Sequence, residues 1–295
     1  MDAELSRAER FSLAVTRFLN EQPLAKRAQN WFVRDVNRRW VTRVIGRRVF
    51  AENLESILAP PSGDRGVVMC LNHRSYFDAY ITMWAIFEAG ARWPERIYFP
   101  VRSNFFYEHP AGVGLNVLIG GGTLYPPIFR DASKSDLNKD ALQRLAGFLA
   151  RPGSFVGLHP EGTRSKGPDP YELLPAQPGI GQIVLQSRPV VIPGFIGGLS
   201  NSIAKDIGSN YVPGIRRTNP IILVVGDPLD YSDLAAKKPR AALYKKASDR
   251  ILDAIRACGE RERELRAACA RGDVPGDAPG WILNHTLRPR PAPWP

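Results

Sequence analysis

Apolar residues recur at helical spacing from the start of the chain. Phe11, Ala14, Val15 and Phe18 predict a first helix, interrupted at Glu21-Gln22-Pro23. A second is predicted over 24–45, with Val33, Val36, Trp40 and Val44 on one face, Arg34, Arg38 and Arg39 off it, and Gly46 bending or ending it. Helices are expected up to about Leu58. The centre alternates short apolar runs with helical patterns. Segments 66–71, 96–101, 154–158, 189–196 and 221–225 read as strands, and 76–87, 137–150 and 181–186 as helices. The segment 241–270 reads as a long helix with Leu243, Ala247, Ile251 and Ile255 on one stripe. Strands separated by helices predict an α/β fold: a central, mostly parallel sheet flanked by helices, preceded by an N-terminal amphipathic helical segment. The expected division is 1–58 as basic helices, 59–271 as the α/β domain with its C-terminal helix, and 272–295 as a proline-rich tail.

Charge sharpens this picture. The 295 residues carry a net charge of +11, which points to anionic partners such as lipid, nucleic acid or phosphorylated small molecules. Six arginines and one acid, Asp35, lie between Trp31 and Phe50. These arginines sit in amphipathic helices that also hold Trp31 and Trp40, and no DNA- or RNA-binding module is recognisable, so a membrane surface is the expected partner and nucleic acid is not. No stretch reaches the roughly 18 apolar residues of a spanning helix, and Met1-Asp2-Ala3-Glu4 lacks the start of a secretion signal. The expected location is therefore peripheral, on the cytoplasmic face of a membrane. Cys70, Cys258 and Cys269 form no disulfide framework, and the four histidines show no ligand spacing, so no metal is expected.

Two stretches carry candidate chemistry. Asn72-His73-Arg74-Ser75-Tyr76-Phe77-Asp78 follows a buried strand and opens a helix. On one continuous helix His73 and Asp78 would lie about 140° apart. With His73 in the turn and Asp78 in the first helical turn, they can meet. A carboxylate on one imidazole nitrogen fixes the tautomer and stabilises the imidazolium as the other nitrogen takes a proton. No Gly-x-Ser-x-Gly elbow marks Ser75 as a nucleophile, so the hydroxyl to be activated belongs to a substrate. The same pair also fits a core histidine beside a helix-capping aspartate, and the spacing alone does not choose. The second stretch, His159-Pro160-Glu161-Gly162-Thr163-Arg164-Ser165-Lys166, offers close backbone approach, hydroxyls and positive charge suited to a phosphate. Read alone, it also fits a solvated turn.

Together these stretches resemble the glycerolipid acyltransferase family, which includes glycerol-3-phosphate and 1-acylglycerol-3-phosphate acyltransferases. The His-x4-Asp pair is followed by Gly120-Gly121-Gly122-Thr123-Leu124-Tyr125-Pro126-Pro127-Ile128-Phe129-Arg130, then Pro-Glu-Gly-Thr-Arg-Ser, then Val190-Val191-Ile192-Pro193-Gly194-Phe195, in the family's order and spacing. The likeness spans about 67–228. It implies a transferase that uses acyl-CoA or acyl-carrier protein as co-substrate, with no cofactor. His73 and Asp78 are the catalytic pair by this resemblance. The resemblance also implies that Arg130, Gly162, Thr163 and Arg164 hold the acceptor's phosphate and that Glu161 orients an arginine or the glycerol, and Pro193 belongs to the fourth block. Lysophosphatidic acid is the expected acceptor; glycerol-3-phosphate, another lysophospholipid or a lyso-aminolipid are alternatives, as is a non-catalytic lipid-binding or nucleic-acid-binding basic protein. The sequence departs from the family at Pro126-Pro127, at Leu158-His159 and over 168–178. Phe105-Phe106-Tyr107 is a candidate acyl-groove lining, or ordinary core.

Overall fold

The computed structural model describes residues 5–58, 64–108 and 110–285; the far part of the proline-rich tail, 286–295, lies outside these. The helices are α1 (Arg7–Glu21), α2 (Pro23–Trp31), α3 (Arg38–Ile45), α4 (Glu55–Leu58), α5 (Asp78–Glu88), α6 (Ser103–Phe106), α7 (Pro110–Gly120), α8 (Ser135–Leu149), α9 (Pro178–Ser187), α10 (Ile203–Ser209), α11 (Ile215–Thr218), α12 (Ser232–Ala235), α13 (Ala241–Arg271) and α14 (Ile282–His285). The strands are β1 (Val49–Glu52), β2 (Val67–Leu71), β3 (Arg96–Tyr98), β4 (Val101–Arg102), β5 (Pro127–Ile128), β6 (Ser154–Leu158), β7 (Val190–Gly197) and β8 (Ile221–Val225).

Six strands form one sheet in the order β1-β8-β7-β2-β6-β3. All pairs are parallel except β7–β8. The sheet is therefore mostly parallel, as the alternation of strand and helix predicts. Every residue of β2, β6 and β8 is buried, because helices cover both faces of a parallel sheet. Alternation along β2 feeds two cores. Val67, Met69 and Leu71 pack in the cluster that contains Trp84 and Phe87 of α5. Val68 and Cys70 pack with Leu145 of α8, Ile183 of α9 and Ile251 of α13.

Two features differ from the sequence expectation. Residues 49–52 form the edge strand β1, paired with β8, where helix was expected. The strand predicted over 96–101 stops at Tyr98. Pro100 has no N–H to extend the ladder, and β4 leaves the main sheet to pair with β5. At the described start of the proline-rich segment, Trp281 is 2% exposed and meets Phe50 edge-on, with ring centroids 5.2 Å apart.

The N-terminal helices are amphipathic in an inverted sense. α1 buries Glu9, Ser12, Thr16 and Asn20, and exposes Phe11 and Phe18. α2 buries Lys26 and Gln29, and exposes Leu24 and Trp31. Polar groups anchor both helices: Asn20 donates to the Gly122 carbonyl at 2.9 Å, and Lys26 to the Ile97 carbonyl at 2.5 Å. A π-helical turn, Phe32–Asn37, joins α2 to α3. Below it Val33, Val41 and Ile45 enter the core.

Candidate active site

β2 and β6 are neighbours, with Cys70 opposite Leu158. The residues after their carboxyl ends, His73 and His159, are thereby brought side by side. Residues 72–77 are non-helical and α5 begins at Asp78, so the chain folds back as the spacing requires. His73 Nδ1 lies 3.2 Å from Asp78 Oδ2. The same oxygen accepts the backbone N–H groups of Arg74 and Ser75, each at 2.8 Å. Asp78 thus holds the turn before its helix and orients the imidazole with one atom. Facing a carboxylate, Nδ1 carries the ring's proton, which leaves the Nε2 lone pair for a substrate.

Burial dominates the electrostatics. It pushes Asp78, 1% exposed, up to about 6, against the opposing pull of His159, the two N–H donors and Arg164. Burial, and then the nearby charges of Arg164 and Arg102, push His73 down to about 3. At neutral pH the pair is therefore a neutral imidazole beside a carboxylate.

The second stretch closes over the first. Glu161, 1% exposed, accepts the His73 backbone N–H and the Leu174 N–H, each at 2.8 Å. Both its oxygens are taken by backbone, so it ties the two loops together. The Ser165 N–H donates to the His73 carbonyl at 2.8 Å. Arg74 reaches the Ser165 hydroxyl and the Gly167 carbonyl. Gly162 sits at φ +64, a left-handed conformation that favours glycine. The half-buried Thr163 follows it. Arg164 lies over the Tyr76 ring at 3.5 Å and donates to Asn201 at 2.7 Å.

Arg130 enters from another direction. Asn138 brackets Phe129, accepting its N–H at 2.7 Å and donating to its carbonyl at 2.8 Å, which sets the backbone just before the exposed Arg130. Pro193 stands opposite Cys70 in the β2–β7 ladder. β7 begins its antiparallel pairing with β8 one residue later, at Gly194. Tyr107 is fully buried and donates to the Leu124 carbonyl at 2.6 Å, which makes it core; the side chain of Phe105 lies outside the described set.

Two residues escaped the sequence reading. Arg102, on β4, is carried towards Arg130 by the β4–β5 ladder. It donates to the Gly162 carbonyl at 2.9 Å and is held below its ordinary value by burial and by the charges of Arg130 and Arg164. Arg102 thus lies near both Arg130 and Arg164, and it and Arg164 lie near His73. The other is His159, whose ring stacks on His73 with centroids 4.0 Å apart and planes 13° apart. Its Nδ1 lies 2.9 Å from the Asn72 carbonyl and 3.2 Å from that of Leu71. Carbonyls only accept, so Nδ1 carries the proton. Burial pushes this ring to about 3 as well. An apolar cleft lined by Val33, Val44, Ile45, Phe77, Ile81 and Trp84 runs along α5 from the residue just before Asp78.

Fold and site together define a class: an α/β protein with an oriented histidine at the carboxyl ends of parallel strands and two arginines, Arg102 and Arg164, near it. A model of the acyltransferase family matches residues 42–197, more than half of the chain, and the chain belongs to that family. The crystal structure of the 1-acyl-sn-glycerophosphate (LPA) acyltransferase PlsC from Thermotoga maritima is similar at TM-score 0.48 and 17% identity, over 86% of this chain and 88% of that one. No curated protein matches the chain.

Proposed function

We propose that this acyltransferase moves a fatty acyl chain from acyl-CoA or acyl-carrier protein to the free hydroxyl of 1-acylglycerol-3-phosphate, giving phosphatidic acid. The observation that carries this reading is the open Nε2 of His73, set by Asp78, with Arg164 and Arg102 near the ring and Arg130 near Arg102. Nε2 takes the acceptor's hydroxyl proton as that oxygen bonds to the thioester carbon. The carbon–sulfur bond then breaks, and the proton passes from Nε2 to the leaving thiolate. The arginines hold the acceptor's phosphate. A phosphate among them also offsets the positive charges that depress His73, so the ring becomes a better base when the acceptor is bound. The cleft along α5 receives an acyl chain.

The exposed apolar faces of α1 and α2 support docking on a membrane surface. Among the described residues no helix is long and apolar enough to cross a membrane, and the proposed placement is peripheral.

The test is the purified chain with labelled acyl-CoA or acyl-carrier protein and a panel of acceptors, with products identified by mass. Phosphatidic acid from lysophosphatidic acid is expected. Acyl transfer only to acceptors without a phosphate would end this reading. His73→Ala should lower turnover about 10²- to 10⁴-fold with an unchanged circular dichroism spectrum.

A further inference from the structure

A second cavity, of about 800 Å³, lies away from His73. It sits between α2 and the edge of the sheet, at the amino end of β3, where the Glu95 and Arg96 N–H groups donate to the Gly153 carbonyl. His73 and His159 follow the carboxyl ends of β2 and β6. The five residues of β6 alone separate the two ends by roughly 16 Å.

Six cations line the cavity: Lys26 and Arg27 of α2, Arg34 of the π-helical turn, Arg96 of β3, Arg144 of α8, and Arg151 beyond it. Its acids are Glu21 and Glu95. Glu21 is already engaged by Arg144, Arg17 and the Tyr125 hydroxyl, and Glu95 meets Arg96 at 3.5 Å. Arg27 and Arg151 have no ion-pair partner among the described residues.

Lys26 is the most telling member. It is 4% exposed and has no carboxylate. Its Nζ donates to Asn20, Gln29 and the Ile97 carbonyl and stands 3.8 Å from the Tyr98 ring centroid. Three donors meet three acceptors, as an ammonium requires, yet no anion balances it. Burial, with Arg96 nearby, pushes it well below its ordinary value. A buried cation without a counter-charge is costly, and an anion in the cavity would lower that cost through its charge.

The rim identifies the source of the anion. Leu24, Arg27, Trp31 and Arg34 follow one another at three- and four-residue steps and form one stripe of α2 and the turn after it. Leu24 is 78% and Trp31 56% exposed, and Trp31 itself lines the cavity. An occupant that meets exposed apolar side chains at the mouth and cations within has both an apolar and an anionic part.

We propose that this cavity seats the headgroup phosphate of an anionic phospholipid of the membrane surface, as a site separate from the acyl-acceptor site. The proposal rests on the membrane-docking reading above.

The test is sedimentation of the full chain with vesicles of phosphatidylcholine alone or mixed with phosphatidylglycerol. Arg27→Gln/Arg151→Gln should weaken binding to mixed vesicles about tenfold or more, since each basic residue near an anionic surface contributes about fivefold. Binding to pure phosphatidylcholine should stay unchanged. Arg7→Gln/Arg10→Gln, which removes the same charge from α1 outside the cavity, should weaken mixed-vesicle binding distinctly less than the cavity pair does. Equal losses in the two double variants would mean diffuse attraction and overturn the site. So would a folded Arg27→Gln/Arg151→Gln protein with wild-type preference for mixed vesicles. If inorganic phosphate displaces the wild type from mixed vesicles but not from pure ones, the occupant is a soluble phosphate and the lipid assignment fails. If this variant instead loses only binding to an acidic acyl-carrier protein, the surface is a carrier dock and the lipid assignment fails again. Absence of binding to either vesicle would overturn membrane docking itself. None of these readings needs turnover, so they are separate from the acyl-transfer assay.

Discussion

One oxygen of Asp78 serves three donors, and this economy makes the pair sensitive to acid. As pH falls through about 6, the folded protein protonates Asp78, and a neutral carboxyl no longer stabilises a developing imidazolium. His73 stays neutral far below that, to about 3. The acid limb of kcat/KM is therefore expected near pH 6 and belongs to Asp78. In Asp78→Asn the limb should vanish along with most of the activity. A limb that survives at the same pH in Asp78→Asn would assign it to another group. Arg102 makes a separable contribution. Charge-assisted hydrogen bonds are worth about 1.5–3 kcal/mol, so Arg102→Gln should raise KM for a phosphorylated acceptor about tenfold to a hundredfold, with a smaller change in kcat. Steady-state kinetics against acceptor concentration separates the two. His73 and Asp78 were legible in the sequence because five residues and one turn place them. Arg102 was not, since only a two-residue ladder with a segment some 25 residues away brings it in, and two residues have no periodicity to read. Its one signal was a basic residue just after the proline that ends a strand.

At the scale of elements, buried strands and the long helix were plain, and β6 and β8 have the boundaries their apolar runs predict. Close packing was less visible. A Cβ on Gly181 would lie 1.9 Å from the Tyr244 carbonyl oxygen, so glycine sets how near α9 comes to α13. The Gly181 N–H also donates to the Ser248 hydroxyl at 2.9 Å. Gly181→Ala should destabilise the protein by about 1–3 kcal/mol through overpacking. Gly147→Ala in α8 meets nothing within 4 Å and should be neutral or stabilising by up to about 1 kcal/mol. Thermal or denaturant unfolding of the two variants is the check, and equal shifts would deny the close approach. The sequence shows both glycines in helical segments with nothing to tell them apart, because the difference lies in what crosses each helix.

For the whole molecule, the decisive matter is how the N-terminal helices belong to the fold. Read from sequence, their apolar faces suit either the core or a membrane, and removing 1–51 suggests itself as a test. The structure makes that removal uninformative. It would take Val33, Val41, Ile45 and Val49 from the core, β1 from the sheet, and the buried Arg48 from its 2.6 Å pair with Asp206. Asp206 in turn accepts the Ser200 N–H and hydroxyl, and the Ser200 carbonyl accepts the Ser75 hydroxyl at 2.6 Å. Truncation would thus reach the loop that holds His73. The exposed side chains offer a cleaner test. Phe18 is 61% and Trp31 56% exposed, so Phe18→Ser/Trp31→Ser removes little packing and should change unfolding free energy by no more than about 1 kcal/mol. If these side chains enter the lipid interface, each contributes on the order of 1–2 kcal/mol through buried apolar area. Partition onto phosphatidylcholine vesicles should then fall about tenfold or more, while acyl transfer to detergent-dispersed acceptor is kept. A protein that partitions as before would assign the exposed apolar stripe to something other than the membrane. One that unfolds early would show these rings to be part of the core after all.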